Sequence, residues 1–380
     1  MRCVCLIIRD TSVMASFMSD KNCERSTAAT DFGEVRTGCV RVQPVMHIAR
    51  TISELGADPQ QVFADAGIPA DLFDNPENSI SFQAIGALIE RCVAATGCPH
   101  FGLLLGAGAA GYPLGMLGEV MQQCANVGTA IAYAQQNLHL HDRGAMATRS
   151  IDGKVASLGY ILFDAQGPVV DQIYDAAIAI AMSLMRALCG PKWKPAAVLL
   201  PHRRPHDAAP FKKVFGCMPQ FNAEQAALLF SARDLEQPIA GADPGRHAML
   251  VERLKTIARQ QDLNFTEQVR RIVRGLVAVR KCSLDAVAAQ FSMNRRRMNR
   301  ILEREGTTYH QISQEALRTL AERLMLDTDL PLGRISAALG YSDASAFTRA
   351  FHNWHGCSPR EWRHRHASSA DVAQRPLGRS

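Results

Sequence analysis

The stretch from Leu284 to Gly306 reads LDAVAAQFSMNRRRMNRILEREG, and a second stretch, from Leu332 to Trp354, reads LGRISAALGYSDASAFTRAFHNW. In each, a short helical pattern is followed by a three-residue turn and by a second helix with a polar outer face. A single pattern of this kind is a weak signal, because short helix pairs are common. Two in tandem, each with a basic outer face, predict an all-α domain built from a tandem helix-turn-helix.

The second helix of the first stretch has two chemically distinct faces. At about 100° per residue, Met298, Ile301 and Leu302 fall on one side, which predicts that they are buried. Arginine occupies four of the six positions from 295 to 300. Arginine can hold guanine with two hydrogen bonds and asparagine can do the same with adenine, whereas flanking arginines suit phosphates. The alternative, an ordinary solvated surface, does not explain this density of arginine.

The spacing of the two motifs matches the repeat of DNA. Asn294 and Ser342 stand where helix N-caps belong, so each outer helix has a predicted start. Between the motifs, residues 308–327 contain no Gly or Pro and repeat apolar residues with helical spacing. About twenty helical residues span roughly 30 Å, and successive major-groove faces of DNA lie about 34 Å apart. One chain is therefore predicted to place two recognition helices in adjacent major grooves.

The segment from about 282 to 364 resembles the C-terminal DNA-binding domain of AraC/XylS-type transcriptional regulators. The matching residues include ISAALGYSDASAFTRAF from Ile335 to Phe351 and SPREWR from Ser358 to Arg363. In the second motif, the positions that read bases in this family include the short side chains of Ala344 and Ser345. The first motif is therefore expected to carry more of the recognition. The resemblance implies base reading by Arg296, Asn299, Arg300, Ala344, Ser345 and Arg349. The flanking residues predicted to contact phosphates are Arg295, Arg297, Arg304 and His352.

Charge is distributed unevenly along the 380 residues. Residues 1–245 hold 19 Lys and Arg against 23 Asp and Glu, a formal charge of −4, while residues 246–380 hold 23 against 13, or +10. A basic C-terminal third on an acidic remainder indicates that one end of the protein meets a polyanion. A basic surface that served only solubility would not be segregated in this way.

Cysteine usage and hydropathy favour an intracellular protein. Eleven cysteines are scattered without the spacing of a disulfide framework or a zinc site, which indicates buried thiols in a reducing cytosol. The opening MRCVCLII is too short for a signal-peptide core, and no stretch approaches the roughly 20 apolar residues of a membrane span. No metal site, cofactor or catalytic arrangement is readable either. We therefore expect a cytoplasmic, nucleoid-associated protein that contacts no membrane and is not an enzyme.

Residues 42–240 carry a different pattern, in which amphipathic helices alternate with a few strands. The turn IDGK at 151–154 predicts a hairpin between strands at 145–150 and 155–163, and a short helix is predicted at 223–228. Helices combined with a small antiparallel sheet make an α+β domain. Helices are predicted at Pro44–Leu55, Pro59–Ala66, Phe82–Thr96, Leu114–Cys124, Val127–Asn137, Val169–Cys189 and Pro210–Phe215.

This N-terminal domain resembles one branch of the same family more faintly. GMLGEVM from Gly115 and the segment Phe211–Phe221 are similar to the effector-binding domain of the branch that includes the ornithine-utilisation regulators, a domain distinct from a cupin barrel. The similarity implies ligand sensing.

The predicted parts of the chain are a disordered extension at 1–41, an α+β effector-binding and dimerisation domain at 42–240, a linker and junction helix at 241–262, the tandem helix-turn-helix domain at 263–366 and a disordered tail at 367–380.

Two motifs in the α+β domain invite an enzymatic interpretation. Residues 106–111, GAGAAG, spell a dinucleotide-binding fingerprint. However, Tyr112 and Pro113 follow directly, and residues 125–131 lack the required carboxylate, so a bend of small residues is predicted. The run HRRPHD at 202–207 is interpreted as a loop beside the ligand pocket rather than a catalytic cluster.

The run HLHDR contains the candidate effector-binding residues. His139, His141 and Arg143 alternate, so in a strand they would face one side and could bind an anionic effector or a metal. The simpler interpretation is a solvated entry to a strand. The choice between the two depends on whether these side chains are buried.

The combined pattern predicts a one-component transcription factor, sequence-specific for DNA and controlled by a small molecule. Activation is the expected sign, with repression left open. The expected partners are double-stranded DNA, a small-molecule effector and RNA polymerase, and a homodimer is left open. Two alternatives from other classes remain: an enzyme that transforms a small molecule and carries a regulatory DNA-binding tail, and an architectural DNA-binding protein without an effector.

Overall fold

The computed structural model describes residues 23–24, 35–36, 38–109, 113–163, 169–260, 265–278, 282–291 and 293–373. Four predicted helices are confirmed at their predicted bounds: Pro59–Ala66, Phe82–Thr96, Val127–Asn137 and Val169–Cys189. The other three are confirmed with shifted ends, and the one predicted at Pro44–Leu55 shortens to Ile48–Glu54. The N-terminal part contains β1 (Cys23–Glu24), β2 (Cys39–Arg41), α1 (Ile48–Glu54), α2 (Pro59–Ala66), β3 (Ser79–Ser81), α3 (Phe82–Thr96), α4 (Phe101–Ala107), α5 (Gly115–Gln122), α6 (Val127–Asn137), β4 (Ala145–Asp152), β5 (Val155–Leu162), α7 (Val169–Cys189), β6 (Ala197–Leu199), α8 (Ala209–Phe215) and β7 (Ala226–Ser231).

The strands of this part form two antiparallel sheets, of order β1-β3-β2 and β4-β5-β7-β6. The predicted hairpin is confirmed: β4 pairs with β5 from Ala145 opposite Leu162 to Asp152 opposite Val155. Gly153 turns the hairpin with a φ of 56°, a conformation that glycine adopts without strain. Helices packed around open antiparallel sheets make an α+β domain, as predicted.

The helix predicted at 223–228 is wrong. Residues Ala226–Ser231 instead form β7, the strand between β5 and β6. Ala226, Ala227 and Leu228 are all buried. A short apolar run that is covered on both sides has no alternation, so its periodicity does not distinguish a strand from a helix.

Parts of the predicted disordered ends are ordered. Strand β2 lies within the extension at 1–41, and its Val40 pairs with the fully buried Ile80 of β3. Val35 is also buried. Burying apolar residues against a sheet lowers the free energy of the folded state, whereas burying a polar tail gives no comparable stabilisation. At the other end, the last helix continues to Ala373, inside the predicted tail.

Helix α7 runs through the core of the N-terminal part. Contrary to the expectation that no stretch approaches a membrane span, this helix is long and apolar enough to cross a membrane by length and composition, and most of that stretch is buried in the fold. Gly102 and Gly106 of α4 lie one helical turn apart against its backbone. A Cβ atom on either glycine would lie 2.2 Å from a carbonyl oxygen of α7. Gly106, the first glycine of the fingerprint-like run, therefore serves helix packing, and residues 110–112 lie outside the described residues.

The C-terminal part is all-α. A second core, separate from that of the N-terminal part, includes the predicted Met298 and Leu302 together with Leu324, Phe347 and Phe351. The junction helix packs instead on the N-terminal part through Leu254. The helices are α9 (Pro244–Gln260, the junction helix), α10 (Phe265–Ala278), α11 (Leu284–Gln290), α12 (Arg295–Arg304), α13 (Tyr309–Asp327), α14 (Leu332–Ala338), α15 (Ala344–His355) and α16 (Pro359–Ala373).

Candidate nucleic-acid interface and ligand cavity

Helix α12 presents a basic face on a buried anchor. The Asn294 side chain accepts a hydrogen bond from the backbone N–H of Arg297 and caps the helix, as predicted. Met298 and Leu302 are fully buried, whereas Ile301, predicted to be buried with them, is only half-buried. Asn299 is half-buried at the edge of the outer face, and the exposed residues of that face are Arg296, Arg297, Arg300 and Arg304.

Arg295 differs from the other arginines of α12 because it already has a partner. Its guanidinium donates two hydrogen bonds to the carboxylate of Asp285 in α11. This contact raises the pKa of Arg295 and lowers the pKa of Asp285. Both side chains are exposed. Arg295 therefore links the two helices of the first motif, a role that the sequence pattern did not indicate.

Helix α15 has the same construction with a different surface. Phe347 and Phe351 are fully buried. The predicted cap Ser342 is wrong, because the carboxylate of Asp343 accepts the hydrogen bond from the backbone N–H of Ala346. Ser342 donates its hydroxyl to that carboxylate instead. The outer residues Ala344, Ser345, Arg349 and His352 are exposed.

The connector α13 is one continuous helix of 19 residues. Thr308 and Gln311 form a capping box at its start, and at 1.5 Å per residue it spans about 28 Å. Trp354 at the end of α15 donates a hydrogen bond to Gln314 of the connector at 3.2 Å. The two recognition helices therefore keep a defined spacing and rotation.

The N-terminal part contains a cavity of about 150 Å³. Its wall is formed mostly by apolar side chains, among them Ile85 of α3, Leu158 of β5 and Leu184 of α7. A mostly apolar lining with a few polar groups is typical of a site for a small molecule. Four residues bring the larger polar side chains to the lining: Arg41, His141, Asp142 and Tyr160.

Three of these four polar residues are bonded within the protein. The Asp142 carboxylate accepts hydrogen bonds from the backbone N–H groups of Gly144 and Ala145, both at 2.9 Å, and from the Tyr160 hydroxyl at 2.5 Å. Burial raises the pKa of Asp142 to about 6, although these hydrogen bonds oppose the shift. Arg41 donates to the Leu140 carbonyl at 3.2 Å and forms a 2.8 Å ion pair with Glu77.

His141 differs because its Nε2 atom is buried without a hydrogen-bond partner among the described residues. Burial, and next the charge of Arg41, lower the pKa of His141 to about 3. The imidazole is therefore neutral at physiological pH. A neutral, unpartnered ring nitrogen in a protein interior is an unusual arrangement.

The predicted effector candidates are separated by the structure. The run lies in a single-turn helix at Leu138–Leu140 and the turn after it rather than in a strand. Only His141 of the three lines the cavity. His139 is partly buried, and burial and then the charges of Arg271 and Arg143 lower its pKa to about 3. Sequence reasoning missed Arg41, Asp142 and Tyr160, since nothing in their spacing indicates that they meet at one wall.

The HRRPHD run lies beside the domain boundary rather than at the cavity. His202 pairs with the buried Asp175 at 2.8 Å and packs against the rings of Phe211 and Phe221. Burial alone would lower the pKa of His202, but the Asp175 carboxylate outweighs it and raises the pKa to about 9. This buried ion pair is a structural contact.

The two parts of the chain touch through charged residues of the C-terminal part. Arg323 of the connector donates to the Tyr174 hydroxyl of α7 at 2.6 Å, and Arg271 of α10 donates to the Gln136 carbonyl at 3.3 Å. Burial, and then the charge of Arg143, lower the pKa of Arg271 to about 10, while Asp142 opposes that shift. The second motif adds the ion pairs Arg203–Asp329 at 2.7 Å and Glu224–Arg334 at 3.6 Å.

Comparisons with known proteins cover both parts. A family model described as the arabinose-binding N-terminal domain of the AraC transcription regulator matches residues 56–239, and a helix-turn-helix domain model matches residues 287–365. Over 82% of its length, the chain is 28% identical to the HTH-type transcriptional regulator VirS of Mycobacterium tuberculosis and covers 92% of it. It is 27% identical to the ornithine utilization regulator of Pseudomonas aeruginosa, with the same coverage of both chains. The crystal structure of the transcriptional regulator CdpR from Pseudomonas aeruginosa aligns with 83% of the chain and 97% of its own, at 20% identity and a TM-score of 0.41.

Proposed function

The chain belongs to the AraC-type transcriptional regulators, which join an N-terminal ligand-binding domain to a C-terminal helix-turn-helix domain, and we propose how each part acts in this protein. We assign the ligand-binding domain to residues 42–240 together with strand β2, whose Arg41 lines the cavity, the linker and junction helix to 241–262 and the DNA-binding domain to 263–366. The separate apolar cores of the two parts support this division.

We propose that α12 and α15 enter adjacent major grooves. The observation that carries this proposal is the placement of two capped, outward-facing helices on one continuous connector of 19 residues. The connector spans about 28 Å, close to the roughly 34 Å between successive groove faces. The proposed base-reading residues are Arg296, Asn299, Arg300, Ala344, Ser345 and Arg349.

The phosphate contacts are proposed for the residues that flank these faces. Arg297, Arg304 and His352 are exposed and lie beside the base-reading positions. Arg295 is held by Asp285, so its contact with a phosphate requires the guanidinium to be shared between the two anions. Its contribution to affinity is therefore expected to be smaller than that of Arg297.

We propose that the effector binds in the cavity of the N-terminal domain. The description of the family model names arabinose, and the name of one relative includes ornithine. Neither compound suits this cavity. A pentose would bury several hydroxyls, and ornithine two amines and a carboxylate, against a lining that is mostly apolar. Each buried polar group without a partner costs on the order of 1–3 kcal/mol, and an unpaired charge costs more.

The ligand is proposed to reach DNA binding through the contact between the domains. Burial raises the pKa of Asp142, and the positive charge of Arg271 in α10 opposes that rise because it favours the ionised form of the carboxyl group. The Asp142 carboxylate in turn accepts a hydrogen bond from the Tyr160 hydroxyl at the cavity wall. The connector and the second motif contact the N-terminal domain through a hydrogen bond from Arg323 and through ion pairs of Asp329 and Arg334. A ligand that favours one arrangement of this wall would change how the second motif is held, and about 1–3 kcal/mol is the usual scale of such coupling.

We further propose activation of transcription through contact with RNA polymerase, a homodimer, a cytoplasmic location on the nucleoid, and binding of the effector without chemical conversion. The last proposal is supported by the cavity wall, where Arg41, Asp142 and Tyr160 are bonded to other protein groups rather than presented to a substrate. Recovery of an unchanged ligand after incubation with the protein would support it, and a product detected by mass spectrometry would contradict it.

Selection of bound duplexes from a random DNA library tests the DNA-binding proposal. We expect two enriched half-sites one helical turn apart. A single half-site would show that the motifs do not dock together, and no enrichment would indicate an architectural protein. A reporter placed behind the selected site then tests activation, because a repressor would lower its output.

A charge variant tests the route between the domains. Arg323→Met removes the hydrogen bond to Tyr174 and leaves the outer faces of α12 and α15 unchanged. We expect this variant to bind the selected site in the absence of ligand and to lose most of its ligand response. Arg233→Met, which removes an exposed charge elsewhere on the N-terminal domain, is the matched control and should respond like the wild type.

A further inference from the structure

One of the four polar residues that line the cavity in the N-terminal domain has an unsatisfied buried atom. His141 alone of these four has such an atom, Nε2, without a partner among the described residues, and because Nε2 is itself buried, a ligand in the cavity reaches it only when the imidazole ring turns toward the cavity. Buried polar groups in native proteins are nearly always hydrogen-bonded, so an exception calls for an explanation. A ligand that supplies the missing partner is the explanation that also accounts for the cavity.

The other three polar residues leave little capacity for a charged ligand. The Asp142 carboxylate receives three hydrogen bonds, one of them from Tyr160. Arg41 is already paired with Glu77 at 2.8 Å. A ligand carboxylate would have to compete with Glu77 for that guanidinium, and it would lie near the Asp142 carboxylate. A ligand ammonium group would have to compete with Tyr160 for Asp142.

We propose that the cavity binds a compact, uncharged apolar molecule that carries one oxygen group, a hydroxyl or a carbonyl, which forms a hydrogen bond with Nε2 of His141. This inference rests on the proposed function, because it names the class of effector for the same site. The cavity of about 150 Å³ sets the size, since an apolar cavity of about this volume accepts benzene. A neutral imidazole nitrogen can either donate or accept, so it suits a hydroxyl as well as a carbonyl.

Binding of three related probes to the full-length protein tests the inference. Phenol carries the hydroxyl, toluene has a similar size without oxygen, and benzoate carries a negative charge. We expect phenol to bind roughly three- to tenfold more tightly than toluene, as one added hydrogen bond allows, and benzoate to bind more weakly than phenol. Isothermal titration at neutral pH measures all three.

Two variants assign the binding to this cavity. His141→Leu should bind toluene more tightly than phenol, because the buried hydroxyl then lacks a partner, whereas His206→Leu, which changes an exposed histidine of the same domain, should keep the preference for phenol. Ala177→Leu narrows the cavity from α7 without changing His141, so it should weaken both phenol and toluene. This second variant keeps the test decisive if His141→Leu does not fold.

Three results would overturn the inference: equal binding of phenol and toluene to the wild type, tighter binding of benzoate than of phenol, or unchanged affinities in Ala177→Leu. Failure of the proposed function looks different. If phenol bound with the expected dependence on His141 but left DNA affinity unchanged, the ligand class would stand and the assignment of the cavity as the effector site would fail.

Discussion

The two helix-turn-helix motifs share a scaffold and differ in surface chemistry. Each recognition helix is capped by a short polar side chain, Asn294 or Asp343, and each buries two side chains in one common core. Helix α12 carries five exposed arginines, one of them the Asp285-bound Arg295, together with Glu303, while α15 carries Arg349 among short or neutral side chains. The comparison shows that the two motifs share their buried positions and differ in the charge of their exposed ones.

The second motif also differs in its contacts with the N-terminal domain. Asp329, which precedes it, and Arg334, on its first helix, form ion pairs with that domain. The motif with fewer exposed arginines is therefore the one that contacts the N-terminal domain through these ion pairs. We infer that the first motif supplies most of the sequence-specific affinity and that the second supplies the contact that a ligand can change.

A change in the connector should produce the largest effect, because both motifs depend on its geometry. Inserting two residues after Glu322 would rotate the second motif by about 200° and move it about 3 Å along the axis. Affinity should fall to that of the first motif alone, a loss of roughly hundredfold or more, and the footprint should shrink to one groove. A footprint of unchanged length, from a variant whose helical content matches the wild type, would mean that the motifs do not act together.

Alanine substitutions on the outer faces should reveal the unequal division. Arg296→Ala and Arg300→Ala should each cost about 1–3 kcal/mol on the selected site and relax the base preference at one position. Arg349→Ala should relax one position in the other half-site, while Ser345→Ala should change affinity little. Titrations on the selected site and on single-base variants measure this. Equal total losses from the two helices would remove the proposed asymmetry.

The phosphate contacts should have a smaller effect that does not depend on sequence. Arg297→Ala should weaken binding to the selected site and to random DNA alike and reduce the salt dependence by about one phosphate contact. Arg295→Ala should have less effect on binding, because its side chain is held by Asp285. The slope of affinity against salt concentration separates the two. A larger slope change for Arg295→Ala than for Arg297→Ala would reverse the assignment.

The helix caps should affect stability rather than recognition. Asn294→Ala and Asp343→Ala each remove a capping hydrogen bond and should lower the free energy of unfolding by about 0.5–2 kcal/mol. Ser342→Ala is the control, since the exposed serine only donates to Asp343, and it should change stability by no more than a few tenths. Chemical denaturation measures all three. A loss in Ser342→Ala as large as that in Asp343→Ala would restore the serine as the cap.

Much of the C-terminal domain could be predicted because its information is local. The spacing of Met298 and Leu302 indicated which side of α12 is buried, and both are buried in the structure. The connector was predicted from the lack of Gly and Pro between 308 and 327, and it begins and ends within one residue of those limits. The local sequence did not identify the cap of α15. Ser342 and Asp343 are neighbours that can both act as caps, and the backbone geometry favours Asp343.

The N-terminal domain was predictable in its helices and less so in its core. Strand β7 lacks alternation because successive residues, which point to opposite faces of the sheet, are all buried from Ala226 to Leu228, so its sequence did not separate strand from helix. Arg41 and His141 are 100 positions apart in the chain, yet both line one cavity. No periodicity of either segment could indicate that they meet.

By itself, the sequence determined the family, the order of the domains, the helical faces and the segregation of charge, since each of these depends on residues that are neighbours in the chain or one helical turn apart. The tertiary structure alone decided which polar groups meet at the cavity wall, that Arg295 is held by Asp285, and that the second motif rests on the N-terminal domain. Those contacts join distant segments. They arise from how helices and sheets pack around two cores, and packing of that kind depends on shape and burial rather than on spacing along the chain.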